Sequence, residues 1–234
     1  VGSGPDVLFV HGWPVSGATF RTLLPHLADH LTCHLIDLPG AGSRRFTAET
    51  KIKDAQQILN VRRVVDLLGF AAVAVVGHDS GGMIARHAMV GDSRLRAMGL
   101  SHTERSGHVG WRVSSFLWSR HLPGLGAALG WVASKPRLRR NGFVLGDAFA
   151  DKALLDGEFD EFFLRPLHES RERRDAAARL LRSFDMRYVG DLGQVHRRID
   201  VPVQLVWGDQ DPFFPVRWAK EMVTSFPDAR LSVV

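Results

Sequence analysis

A carboxylate stands between glycines in the stretch Val75–Ala85, VVGHDSGGMIA. Gly77 and Gly81 each lie two residues from Asp79, with His78 and Ser80 between. A nucleophile displayed at a strand end must point out of a sharp strand-to-helix turn, which leaves no room for side chains two residues to either side. Small residues at those places are a steric requirement, and they centre the turn on Asp79. Centring it on Ser80 would put His78, which is not small, at a flank. The N-terminus of the following helix is expected to keep the Asp79 carboxylate ionised. Read alone, the same residues also describe an aspartate that merely caps a helix.

Other pieces fall in an order that favours chemistry. VLFVHGWP closes an earlier strand with His11, Gly12, Trp13 and Pro14. Such a turn aims the Trp13 N–H at the same point as the Ser80 N–H, and two converging donors make an oxyanion hole. DLPGAGSR (Asp37–Arg44) is a glycine-rich turn at another strand end. LVWGDQDPFFP ends a late strand with Asp209 and Asp211. A carboxylate there orients a histidine in a triad ordered nucleophile, acid, histidine.

The elements that must hold these residues alternate. DVLFVHG, TCHLIDLPG, AAVAVVG and RLRAMGLSH read as strands, and Thr19–His30, Lys51–Leu68 and Met83–Val90 as helices. Ile58, Val61, Val65 and Leu68 give the second helix its apolar face, and the continuous apolar run of AAVAVVG predicts a buried strand. Strands joined by helices imply a parallel sheet with helices on both faces, an α/β fold. From Thr103 to about Val195 the chain turns helical, aromatic and arginine-rich, with Trp111, Trp118, Trp131 and the single tyrosine, Tyr188. VPVQLVWGDQD then restores a strand, a helix follows at Val216–Ser225, and ARLSVV begins a last strand. The expected organisation is a sheet domain over 1–102 and 196–234, interrupted by a helical insert over 103–195 that covers the ligand-binding edge.

In their order and spacing, H-G-W-P, D-L-P-G-A-G-S, G-H-D-S-G-G and W-G-D-Q-D-P resemble the α/β-hydrolase superfamily, over nearly the whole chain. Within it they resemble the branch with an aspartate nucleophile, epoxide hydrolases and haloalkane or haloacid dehalogenases. The resemblance implies Asp79 as nucleophile, Asp211 as triad acid, and Trp13 and Ser80 as oxyanion donors. His11 and Tyr188 join them as substrate-binding residues, and Thr103 to about Val195 becomes the cap. Some relatives carry the acid one strand earlier, where Glu104 lies. The resemblance also implies strands before Val1 and a triad histidine beyond Val234. Epoxide hydrolases protonate the epoxide oxygen with two cap tyrosines, and only Tyr188 is available. For a halide the donors would be Trp13, Trp111, Trp118 or His108, with core packing the competing role for each tryptophan.

The implied reaction is attack of a carboxylate on an sp³ carbon of a small apolar substrate, giving an alkyl-enzyme ester that a histidine-activated water then hydrolyses. It needs no metal or organic cofactor. Three rivals stay open: a dehalogenase, an esterase working through Ser80, and a non-catalytic binding protein of the same fold.

The 234 residues are 45% hydrophobic and 24% charged, enough for a large buried core. The net charge of +5 sits largely in Lys135–Gly142 and Glu169–Phe184, read here as solvated helix faces. Nucleic-acid binding is not expected, because neither run carries interleaved aromatics. The single cysteine, Cys33, excludes an intrachain disulfide, is expected in the core, and fits a cytoplasmic setting. The weakly polar stretch Leu122–Ala133 is too short to cross a bilayer.

Overall fold

The computed structural model describes residues 1–42 and 46–234. Ser43 and Arg44 of the Asp37–Arg44 turn lie outside the described residues. Six strands form one parallel sheet: β1 (Asp6–Val10), β2 (Thr32–Ile36), β3 (Val73–His78), β4 (Leu95–Ser101), β5 (Val203–Trp207) and β6 (Ala229–Val233), in the order β2-β1-β3-β4-β5-β6. Eleven α-helices accompany them among the described residues. They are α1 (Leu24–Leu27), α2 (Asp54–Leu67), α3 (Ser80–Met89), α4 (Trp111–Ser119), α5 (Leu125–Ala133), α6 (Pro136–Arg139), α7 (Lys152–Asp156), α8 (Arg165–Glu169), α9 (Arg171–Ser183), α10 (Met186–His196) and α11 (Val216–Val223). None is long and apolar enough to cross a membrane.

The apolar period of each helix decides which layer it joins. Ile58, Val61 and Val65 of α2 recur at helical spacing and lie buried with Met83, Ile84 and Ala88 of α3 against Leu8, Val75 and Leu100 of the sheet. The opposite face of the sheet packs Phe9, Cys33 and Val7 under Phe20 and α1. The helix expected over Thr19–His30 is shorter: a 3₁₀ turn at Gly17–Phe20, then α1 with Pro25 in its first turn. Proline has no N–H to continue a preceding helix, so α1 starts afresh there.

The register brings the site together. Val10 pairs with Gly77, His78 with Ser101, and Ser101 with Val206. Strands β1, β3, β4 and β5 therefore finish side by side, and the turns after them share one edge of the sheet.

The helical excursion differs from expectation at its far end. Val189, Leu192 and Val195 of α10 are buried in the sheet-centred core. α10 thus returns to the sheet layer, and the covering helices are α4 to α9. Their interior consists of small separate clusters, one around Leu155, Leu164 and Leu167 and another around Leu117, Leu125 and Leu181. The basic run Lys135–Gly142 is not wholly solvated either. Arg139 turns inward to Asp156 at 2.9 Å and to Asp160, since its place on a one-turn helix faces α7. Nor do Trp111, Trp118 and Trp131 pack in a core: all three stand exposed.

Candidate active site

Asp79 follows β3 with φ 53° and ψ −139°, a conformation costly for a residue with a Cβ, and caps α3. What holds it there is close backbone approach. A Cβ on Gly77 would meet the Gly82 Cα at 2.5 Å, and one on Gly81 would meet the His11 carbonyl oxygen at 2.3 Å. A Cβ on Gly12 would press on the Asp79 Cβ at 2.5 Å. The flanking glycines are thus needed where the turn is centred on Asp79, with Ser80 already the first residue of the helix.

The Asp79 carboxylate accepts the Ser80 N–H and the Trp13 N–H. Two donors from different strand ends converge on one group. Burial and the neighbouring Glu104 nevertheless push the Asp79 carboxyl well above the usual range, with a smaller push from Asp211. The Ser80 N–H at the helix terminus does not outweigh burial and the Glu104 charge, contrary to expectation.

The other candidates take distinct places. His11 is buried, its Nδ1 donates to the Gly12 carbonyl at 2.8 Å, and its Nε2 accepts the Leu38 N–H at 3.0 Å. Both nitrogens are taken by backbone, and burial holds the ring neutral. His11 fastens the end of β1 to the turn after β2, which leaves it no nitrogen for substrate. The indole of Trp13 donates to the Ala177 carbonyl of α9 at 3.0 Å, tying the turn to the cap, so its N–H is engaged away from any halide. Asp211 is oriented by the Phe213 and Phe214 N–H groups, at 2.7 and 2.9 Å on its Oδ1, and its Oδ2 lies 3.7 Å from the His102 Nε2. His102 itself accepts the Gly208 N–H at 2.8 Å, and its Nδ1 contacts the Ser101 hydroxyl at 2.6 Å. It is a strut between β4 and β5. Its Nε2 lone pair is taken by the Gly208 N–H.

Tyr188 departs from the expectation. Its ring packs edge-on against His87, 5.1 Å between centroids, and it does not line the cavity. The reason is the docking of α10: with Val189 and Leu192 against the sheet layer, the neighbouring Tyr188 turns toward the far end of α3.

Asp79, Ser80, Trp13, His11, Glu104 and Asp211 line one cavity of about 1470 Å³ between sheet edge and cap. Ligand pockets commonly occupy roughly 300–1,000 Å³. Phe116, Leu129, Phe159 and Leu181 make much of the wall apolar. No group of three His, Cys, Asp or Glu side chains among the described residues is arranged to hold a metal ion.

Three features escaped the sequence reading. Arg86 of α3 has no exposed surface and donates to the Gly82 carbonyl at 2.9 Å, to Thr103 at 2.8 Å and to His196 at 2.8 Å. Its guanidinium lies 3.9 Å from Glu104, the buried counter-charge nearest the nucleophile. Asp54, at the start of α2, accepts the Asp185 N–H at 2.7 Å and is pushed up to about 7, mainly by burial. Gln57 buries an Oε1 with no partner in the same wall. Arg86 left one trace in the sequence, a lone cation inside the apolar GGMIARHAMV.

The chain is similar to known proteins in sequence and in fold. A family model described as the alpha/beta hydrolase fold matches residues 5–234. A pimeloyl-[acyl-carrier protein] methyl ester esterase of Stenotrophomonas maltophilia (strain R551-3) is 35% identical over 101 residues, 42% of this chain; the match spans 36% of that relative's length. A soluble epoxide hydrolase of Corynebacterium sp. (strain C12) is 37% identical over 84 residues, 36% of this chain and 29% of that protein. A solved alpha/beta hydrolase fold protein from Burkholderia ambifaria superposes on all of this chain and 84% of its own, with a TM-score of 0.76 at 20% identity, a likeness of fold. The family match spans nearly the whole chain, including the sharp elbow at Asp79 and the strand-end turns beside it, and the chain belongs to the alpha/beta hydrolase fold family of enzymes.

Proposed function

We propose that this hydrolase works through Asp79 as nucleophile, forming an alkyl-enzyme ester with an apolar substrate. The observation that carries the reading is the placement of Asp79, rather than Ser80, at the strained centre of the turn. An ionised Asp79 oxygen attacks an sp³ carbon and displaces its leaving group. When water later attacks the ester carbonyl, the oxyanion forms where the Ser80 and Trp13 N–H groups already converge. Asp211 is held by its own turn with one oxygen toward the cavity side, which suits a carboxylate that orients a histidine base.

The kind of leaving group follows from proton supply. An epoxide oxygen needs a proton and a halide does not. Tyr188 is turned away, so the donor the cavity wall offers is Asp54, whose carboxyl burial pushes up to about 7. The Corynebacterium relative supports an epoxide as substrate. The similarity to methyl ester esterases supports a second reading, ester hydrolysis through Ser80.

One experiment separates them. The protein is incubated with a reactive epoxide or alkyl halide, and its intact mass and peptides are measured. One adduct on the side-chain carboxyl of Asp79 is expected, and a single turnover in ¹⁸O-water should place label in that carboxylate. An adduct on Ser80, or Ser80→Ala as the inactive variant with Asp79→Asn active, overturns the aspartate mechanism.

A further inference from the structure

The cap helices that wall the cavity carry a second surface on their outer side. Trp111–Arg140 contains Arg112, Arg120, Lys135, Arg137, Arg139 and Arg140 and no Asp or Glu. On α4, Val113, Phe116 and Leu117 face the cavity, while Trp111 and Trp118 are 63% and 74% exposed. These two are seven residues apart, two helical turns, and so lie on one stripe. α5 repeats the division: Leu125, Leu129 and Val132 line the cavity and Trp131 is 58% exposed.

An indole has a large apolar ring and one polar N–H, and its favoured place is a boundary between apolar and wet phases. Trp118 and Trp131 have no aromatic neighbour among the described residues to meet that preference, whereas Trp111 has the Phe143 ring 5.7 Å away and Arg112 beside it. The charges around them are also open. Arg112, Arg139 and Arg140 are paired with Asp147, Asp156 and Asp160. Lys135 and Arg137, exposed at the start of α6, form no ion pair among the described residues. Arg182 donates to the Arg120 and Leu122 carbonyls, and Arg120 to the Phe184 carbonyl, so neither charge is neutralised there.

We propose that the outer face of α4, α5 and α6 docks on an anionic lipid bilayer. Trp111, Trp118 and Trp131 sit at the headgroup boundary, and Lys135 and Arg137 meet the lipid phosphates. An acidic protein would draw on the same cations. The lipid surface is favoured because the three indoles stand on separate turns and the segment offers no carboxylate to match a partner's basic groups; a uniform anionic phase needs none. Docking brings the helices that wall the cavity against a phase in which apolar substrates dissolve.

The test is co-sedimentation of the protein with vesicles of phosphatidylcholine alone and of phosphatidylcholine mixed with phosphatidylglycerol, at low and high salt. Binding to the anionic vesicles only, weakened by salt, is expected, together with quenching of tryptophan emission by brominated acyl chains. The Lys135→Ala/Arg137→Ala double variant should bind about 30-fold more weakly, since each cation near an anionic surface contributes roughly a fivefold factor. Trp111→Ser/Trp118→Ser/Trp131→Ser should lose the quenching while keeping a native circular dichroism spectrum. Failure of the natively folded protein to bind anionic vesicles at low salt overturns the proposal. So does binding of an acidic carrier protein that depends on Lys135 and Arg137 without any vesicle binding. Asp79→Asn should bind vesicles like the parent, so this result and the nucleophile assignment fail independently.

Discussion

Beneath the strand ends, Arg86 has no exposed surface, and its guanidinium is bonded by a carbonyl, a hydroxyl and a neutral imidazole. In the cap, Arg139 is nearly as buried, yet its partners Asp156 and Asp160 keep 18% and 14% of their side chains in water. Arg86 is held by partners shut away from water, whereas Arg139 is held by carboxylates that keep contact with it. Two glycines show the extremes of such support: Gly81, beside Asp79, is pressed by backbone atoms, whereas Gly124, before α5, has open space around it. A nucleophile needs positional precision, which dense backbone contacts supply. A cover over a large apolar cavity needs only apolar inner faces, and its outer faces stay free for other contacts.

The largest effect should come from the elbow itself. Asp79→Asn should reduce alkylation by about 10⁴-fold or more, since nothing replaces the nucleophile. Asparagine tolerates positive φ, so the turn should survive. Because the folded state lifts the Asp79 carboxyl, its ionised form costs stability, and the variant should unfold at higher urea than the parent at pH 8. A destabilised variant would break the view of the elbow as strained for function.

A pair of arginine variants sharpens the contrast of supports. Arg86→Met leaves Glu104 buried without its counter-charge and should cost about 3–5 kcal/mol. Arg139→Met, whose partners reach water, should cost about 1–2 kcal/mol. Equal losses in urea titration would erase the distinction.

Glycine variants test it by sterics alone. Gly81→Ala places a Cβ against two backbone carbonyls and should cost about 3 kcal/mol. Gly124→Ala meets no atom and bears only the strain of φ +71°, about 1 kcal/mol.

A pH-dependent shift concerns the seam between the regions, where Asp54 of the core receives the Asp185 N–H that precedes α10. Its folded pKa of about 7 exceeds the unfolded value, so the unfolded chain binds fewer protons between roughly pH 4 and 7 and stability falls as pH rises across that window. Asp54→Asn should flatten this slope and stabilise the protein at pH 8 by about 1–3 kcal/mol. An unchanged pH profile would show that Asp54 ionises freely.

Much of the site was legible because its constraints are local. The turn at Asp79 is set by residues two positions away, and a glycine pattern of that length is visible in any sequence that must make it. The strand ends carrying Trp13 and Asp211 were legible for the same reason, since each turn is written in its own few residues. What the chain determined by itself is therefore the alternation of elements, the elbow and the turns that flank it. The tertiary structure alone decided the rest. Tyr188 points away because α10 docks by Val189 and Leu192, a choice made by the neighbouring layer. Arg86 and His196 are 110 positions apart and meet only where α3 and α10 pack. The tryptophans of the cap face outward because thin apolar clusters beneath α4 and α5 take one side of each helix and leave the other uncovered. Burial depends on what arrives from elsewhere in the chain, and no short stretch of sequence states that.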